Sequence, residues 1–271
     1  MAEWRLIREE ARPGAVQMAL EEVAVRAAAS GIGTVRVYRW APPALSLGYA
    51  QDPATVDWDA AADRGVDVVR RQTGGGAIYH DGRGDISYSV VAPAGAFGGP
   101  RAAYRACCTP VLDALAALGA DAGFADERVP TRHAPACYLR ELDPAHDVVA
   151  GGKKVGGNAQ YRRRDATVQH GSLVYDLDAG RHAALFADPP PADAFDERVT
   201  SLRAEAGAAR AEAVAALERA LAEWAGATEE AWTDAELRAA RELADHKYRD
   251  PAWTRNSEAP DGADEVIGKL T

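Results

Sequence analysis

Runs of alternating apolar and polar residues, interleaved with stretches of helical spacing, divide the chain into short elements that change type repeatedly. WRLI (4–7) predicts a strand and PGAVQMALEEVAVRAAASG (13–31) a helix, with Val16, Ala19, Leu20 and Val23 at helical spacing, Pro13 near its start and Gly31 past its end. TVRVYRW (34–40) alternates as a strand, and PALSLGY (43–49) reads as its hairpin partner across the Pro-Pro turn. A short helix over 53–65 precedes the strand VDVVRRQ (66–72), and DISYSVVAP (85–93) alternates again. RAAYRACCTPVLDALAALG (101–119) is helical in pattern, with Pro110 expected to kink it or split it in two. Val148 and Val149, Lys154 to Tyr161, and Val168 to Tyr175 mark three short strands joined by tight turns, and helices are expected at 181–186, 208–226 and 233–248. The sum is an α+β domain, a central mixed or antiparallel β-sheet flanked by helices, filling residues 1–254 ahead of a polar tail over 255–271.

Composition narrows the class. With 271 residues, 47% hydrophobic and 27% charged, the chain can bury a sizeable core. No apolar run approaches the roughly 20 residues needed to span a bilayer, and the N-terminus MAEWRLIREE lacks a basic-then-apolar leader, so a cytoplasmic location with no membrane contact is expected. A formal charge of −10 argues against a nucleic-acid partner held through phosphates. The run Arg162, Arg163, Arg164 is the exception and reads as a solvated turn or a small anion patch. Three cysteines form no disulfide framework, and the adjacent Cys107 and Cys108 read as small core hydrophobes on one helix. Only four lysines stand against 27 arginines, and two of the four, Lys153 and Lys154, are neighbours.

Two glycine-rich segments hold the candidate chemistry. RRQTGGGAIYHDGRGD (70–85) is no P-loop, because no Gly-Lys-Ser/Thr closes it, and no dinucleotide fingerprint, because Tyr79 stands at the third glycine position. It offers bare backbone whose N–H groups can face an anion beside Arg70, Arg71 and His80, although a flexible hairpin loop satisfies the same pattern. GGKKVGGNAQ (151–160) centres on the lysine pair. A compact ammonium fits against a carbonyl or phosphate oxygen where a planar guanidinium would not, which favours Lys154 as a site residue and leaves Lys153 solvated. Asn158, Gln160 and His170 add neutral polar groups nearby.

RRQTGGGAIYHDGRGDISYSV, then GGKKVGGNAQYR, then QHGSL resemble the lipoate-protein ligase family, within the wider group of biotin ligases, lipoate ligases and octanoyltransferases. RVYRWAPPALSLGYAQ and ARELADHKYRDPAW extend the resemblance over roughly residues 4 to 254. It implies an acyl channel and a ligase that activates lipoate with ATP, accompanied by Mg²⁺, to lipoyl-AMP. The lipoyl group then passes to a lysine of an apo lipoyl domain, on a 2-oxoacid dehydrogenase E2 subunit or the glycine cleavage H protein. By the same resemblance Arg71, Gly76, Ala77, Ile78 and Tyr79 fall on nucleotide-binding positions, Lys154 on the lysine that contacts acyl carbonyl and phosphate, and His80 and His170 on further motif positions; Gly74, Gly75 and Asn158 join the candidate binding residues from the glycine run and the polar cluster themselves. No metal-ligand set is read from the sequence. Absence of the additional C-terminal domain of two-domain ligases implies a separate small accessory subunit. The alternative is a cysteine-dependent octanoyltransferase, which moves octanoate from acyl carrier protein without ATP through a thioester on Cys137. A non-catalytic acyl-binding homologue is the least favoured reading.

Overall fold

The computed structural model describes residues 3–129 and 134–260. The first strand, β1 (Glu3–Arg12), is followed by the helix Gly14–Ala29 and by β2 (Ile32–Trp40), which pairs parallel with β1. That helix is rich in Ala and Val and buried almost throughout, so its acids Glu21 and Glu22 point into the protein, not into water.

The remaining strands are β3 (Ala44–Leu47), β4 (Asp67–Arg70), β5 (Ile78–His80), β6 (Asp85–Pro93), β7 (Ala122–Phe124), β8 (Val148–Ala150), β9 (Lys153–Arg162), β10 (Ala166–Val174) and β11 (Thr228–Glu230). Eight of them form one mixed sheet in the order β11-β1-β2-β6-β10-β9-β8-β7, parallel at the β11-β1-β2 end and antiparallel elsewhere. Helices cover both faces. Gly14–Ala29 and Asp234–Leu243 pack against one, Pro100–Ala117 and Arg210–Ala225 against the other. Double coverage explains why every residue of β10 is buried, where a one-sided antiparallel strand would alternate.

A second sheet, β4-β3-β5, holds the segments around the glycine run. Here the hairpin expected between 34–40 and 43–49 is corrected: β3 pairs parallel with β4 and antiparallel with β5. Both edges of β2 are already taken, by β1 and β6, so the chain turns away at Ala41–Pro43 and β3 is enclosed on both sides. The expected break at Pro110 is also corrected. Pro100–Ala117 is one helix, and the Thr109 hydroxyl turns back onto the Arg105 carbonyl at 2.9 Å beside the proline. The helix expected over 233–248 runs from Asp234 to Leu243 and widens into a single π turn, Ala244–Tyr248. Most of the expected polar tail, 261–271, lies outside the described residues.

Candidate active site

Arg71 follows β4 and is buried to 2% exposure. Its guanidinium donates to the Thr73 hydroxyl (3.0 Å), the Ser46 carbonyl (2.7 Å) and the carbonyls of Gly74 (2.7 Å) and Gly76 (2.8 Å). The arginine therefore folds the glycine run around itself. Burial lowers its pKa, while the neighbouring Cys137, Glu21 and Tyr38 oppose that shift.

The run then meets a second loop. Ala77 N–H donates to the Pro135 carbonyl and Cys137 N–H to the Ala77 carbonyl, both at 2.8 Å, making a short parallel bridge. A Cβ on Gly76 would lie 2.8 Å from the Pro135 oxygen and 2.9 Å from the Cys137 nitrogen, so a glycine is required for the loops to touch. Gly75 supplies a different need: its φ is +98°, and a Cβ on Gly48 would strike the Gly75 carbonyl at 2.1 Å. Cys137 is thereby held at the start of a 3-10 turn, Cys137–Leu139, partly exposed toward a cavity.

Strand β9 supplies the opposite wall. Gly157 is bare because a Cβ there would stand 3.0 Å from Cys137 Sγ and 4.0 Å from Lys154 Nζ. Lys154 is 3% exposed, and its ammonium contacts Asp147 at 2.8 Å and donates to the Cys137 carbonyl at 3.3 Å. An ammonium has three donors, which leaves one for a substrate oxygen. Burial alone would raise the pKa of Asp147, but the nearby His146 and the charge of Lys154 outweigh it and hold the carboxylate below its usual range.

Two imidazoles close the sides. His80 Nδ1 meets Asp85 at 2.8 Å and Nε2 meets Ser46 Oγ at 3.0 Å, with the ring stacked on Trp40 at 4.1 Å. His170 Nδ1 meets Glu21 at 3.0 Å and Nε2 meets Thr73 Oγ1 at 2.5 Å. Each ring is clamped between a carboxylate and a hydroxyl, which fixes its orientation. Asp85 sits below the usual carboxylate range because His80 and Ser87 outweigh the effect of burial. The same holds for Glu21, where His170 and Arg36 overcome burial. Asn158 is fixed by Tyr88 OH and by the His146 carbonyl, at 2.7 Å for the latter. Between these walls lies a narrow cavity of about 30 Å³ with a mainly apolar lining that includes Met18, Tyr38, Trp40 and Ile78.

The residues singled out in the sequence thus fall into three groups. Arg71, Gly74, Gly75, Ile78, His80, Cys137, Asn158 and His170 line the cavity. Gly76, Ala77 and Lys154 stand behind it, in loop docking and beside Cys137. Tyr79 turns away and packs edge-on against His182 at 5.3 Å. Sequence reasoning missed Asp147, Asp85 and Glu21, the carboxylates that orient Lys154, His80 and His170. The available signal was an acid inside an otherwise apolar element, as in DISYSVVAP and the Ala-rich helix.

Residues 13–224 match the model of the lipoyl protein ligase A/B catalytic domain, and the chain belongs to that family. Among curated relatives, octanoyltransferase LipM of Kyrpidia tusciae is 38% identical over 229 residues, spanning 77% of this chain and 81% of that one. Its counterpart from Geobacillus kaustophilus is 34% identical over 197 residues, spanning 69% and 70%. Among solved structures, lipoate-protein ligase A bound with ATP is 28% identical with a TM-score of 0.78, covering 93% of this chain and 98% of that one. The bipartite lipoate protein ligase of Thermoplasma acidophilum, studied with its E2 lipoyl domain, is 26% identical with a TM-score of 0.80, covering 96% and 99%. The expectation of an ATP-dependent lipoate ligase is overturned by the first pair: the relatives of higher identity are octanoyltransferases. That expectation had leaned on the third glycine of GGGAIYHD and on the interval from Cys137 to Lys154, which the identity to octanoyltransferases outweighs.

Proposed function

We propose that the chain is a cysteine-dependent octanoyltransferase that carries octanoate from acyl carrier protein to a lysine of an apo lipoyl domain. The observation that carries the reading is the placement of Cys137 Sγ and Lys154 Nζ against the same bare glycine, beside an apolar cavity. The identity to octanoyltransferases supports it.

In the first half-reaction the Cys137 thiolate attacks the carbonyl carbon of the octanoyl thioester. The bond to the carrier's sulfur breaks, and the carrier leaves as a thiol after taking up a proton. In the second, the neutral ε-amine of the acceptor lysine attacks the acyl-cysteine; an amide forms, the Cys137 sulfur leaves and the amine gives up one proton. The incoming thioester is already activated, so neither ATP, Mg²⁺ nor an activating accessory subunit has a part. Lys154, beside Cys137 and with one donor unspent, is assigned to the oxyanion of both steps, and a preorganised donor of that kind is typically worth about 10²–10³ in rate. The apolar lining receives the acyl chain, its side chains parting to admit it.

The test is to incubate the protein with octanoyl carrier protein and no ATP, then read its intact mass. One octanoyl group should appear on Cys137, disappear in Cys137→Ser, and pass to an added apo lipoyl domain. Octanoylation of the lipoyl domain that survives in Cys137→Ser would refute the reading.

A further inference from the structure

The arginine run enters none of the chemistry above, yet its position in the fold is specific. Arg162, Arg163 and Arg164 form the exposed tip between β9 and β10, the two strands whose other residues floor the cysteine cavity. They line an open cleft of about 930 Å³ together with Lys247, Trp253 and Tyr49, the last 45% exposed. Four cationic side chains there face two carboxylates, Glu22 and Asp165. Glu22 is already bound to Lys247 at 2.6 Å, and Asp165 reaches only Arg163, at 3.8 Å. Arg162 donates to the Gly98 carbonyl at 2.8 Å, and the Arg164 side chain has no ion-pair or hydrogen-bond partner among the described residues. In a chain of net charge −10 this is a local excess of positive charge with unspent donors.

Shared walls link the cleft to the cysteine cavity. Glu22, Gln72 and Tyr161 are shared with a narrow inner cavity, which in turn shares the flexible Met18 side chain with the cysteine cavity. From Gly157, against Cys137, to Arg162 is five residues of extended strand, roughly 17 Å at the strand rise of ~3.3 Å. A phosphopantetheine arm, from phosphodiester to sulfur, equals a little over four residues of extended backbone, roughly 15 Å. An acceptor lysine side chain is far too short for that span.

We propose that the arginine cleft docks the acyl carrier that donates octanoate, with the phosphodiester of its arm on Arg162–Arg164 and the thioester delivered along the β9-β10 hairpin to Cys137. This rests on the octanoyltransferase reading and adds the donor's binding surface to it. The acceptor domain needs no such ruler and approaches elsewhere.

The test uses the triple variant Arg162→Glu, Arg163→Glu, Arg164→Glu and its charge-preserving Lys counterpart. Acylation of Cys137 is followed with octanoyl carrier protein and with octanoyl-N-acetylcysteamine, which lacks both phosphate and protein. The Glu variant should raise KM for the carrier at least tenfold with kcat within twofold, the Lys variant should recover most of the loss, and the small thioester should acylate all three proteins equally. Transfer from preformed acyl-enzyme to the lipoyl domain should not change. An unaltered carrier KM, an equal loss with the small thioester, or a loss confined to the transfer step would each overturn the proposal. If neither thioester acylates the unaltered protein, the octanoyltransferase reading itself falls.

Discussion

The three consecutive glycines are not equivalent, and substituting each in turn separates what they do. An alanine at Gly74 meets open space and no left-handed backbone. An alanine at Gly76 meets backbone on the cysteine loop at 2.8 and 2.9 Å, against the 3.4 Å at which ordinary contact begins, so the two loops must part by about half an ångström. That separation acts on the two 2.8 Å hydrogen bonds between them, Ala77 to Pro135 and Cys137 to Ala77. At about 0.5–1.5 kcal/mol each, Gly76→Ala should cost about 1–3 kcal/mol. For a domain of this size a kilocalorie shifts Tm by about 2–4 °C, which puts the loss between a few degrees and about ten. Because Cys137 is the residue displaced, the chemical consequence is larger: misplacement by 1 Å costs about 10²-fold, so acylation should slow by about tenfold or more. Gly74→Ala should leave stability within about 0.5 kcal/mol of the parent. Gly75→Ala should fall between them, since φ of +98° strains any side chain and Arg71 Nη2 stands 2.9 Å from the new Cβ. Differential scanning calorimetry and single-turnover acylation monitored by mass spectrometry give both numbers. If Gly74→Ala proved as damaging as Gly76→Ala, the run would be serving a ligand and not the docking of the cysteine loop.

Asp147→Ala leaves the Lys154 ammonium buried without its carboxylate and should cost about 3–5 kcal/mol in urea denaturation; a loss below 1 kcal/mol would show that the pair is solvated. Lys154→Arg keeps the charge but not the compact donor, and should lower acylation about 10²-fold with little change in carrier KM, measured in the same single-turnover assay. Burial depresses the pKa of His182, so on acidification the unfolded chain takes up that proton first, and stability should begin to fall as pH drops through about 6.5. His182→Gln should flatten the change in urea midpoint between pH 7.5 and 5.5. Asp85, Asp147 and Glu21 are held below their usual range, so their contribution is intact above about pH 4.5 and lost below it, giving a second, steeper decline in the same titration.

How much of this was legible in the sequence depended on whether the signal was local. The crossover β1-helix-β2, the β9-β10 hairpin and the helices Arg210–Ala225 and Asp234–Leu243 announce themselves locally, because the backbone of each is satisfied within a short stretch of chain. β5, β7 and β11 are three residues each, too short for any period to register, and exist because a neighbouring edge is available. The hairpin drawn from β2 to β3 failed for the converse reason: the local pattern permitted it, but β1 and β6 had already claimed the edges. In the site, glycine spacing pointed to close backbone approach but not to what approaches. The answer, the Cys137 loop, lies about sixty residues further along the chain. Asp147, Asp85 and Glu21 were invisible as partners, since a carboxylate in an apolar element declares a buried charge without declaring its counterion.

The division of labour between arginine and lysine follows from the number of acceptors each must satisfy. Arg70 donates to the carbonyls of Gly48, Tyr49, Gln51 and Thr254, and Arg71 to those of Ser46, Gly74 and Gly76, so two neighbouring guanidiniums gather loops from distant parts of the chain. Such a hub needs a planar, multi-donor group, and having spent its donors it has little left for a substrate. The buried lysines are placed differently. Lys247 is anchored by the single carboxylate of Glu22 over the Trp253 ring, at 4.2 Å from its centroid, and Lys154 by that of Asp147. One strong anchor fixes the ammonium and leaves part of its donor set open. In an arginine-rich chain, a lysine retained next to a partly exposed cysteine therefore marks the place where a hydrogen bond is kept in reserve. Filling that reserve with a permanent acceptor, by Gly157→Asp for instance, should silence acylation even with Cys137 intact. Normal single-turnover acylation in Gly157→Asp would mean that the third donor of Lys154 never meets the substrate.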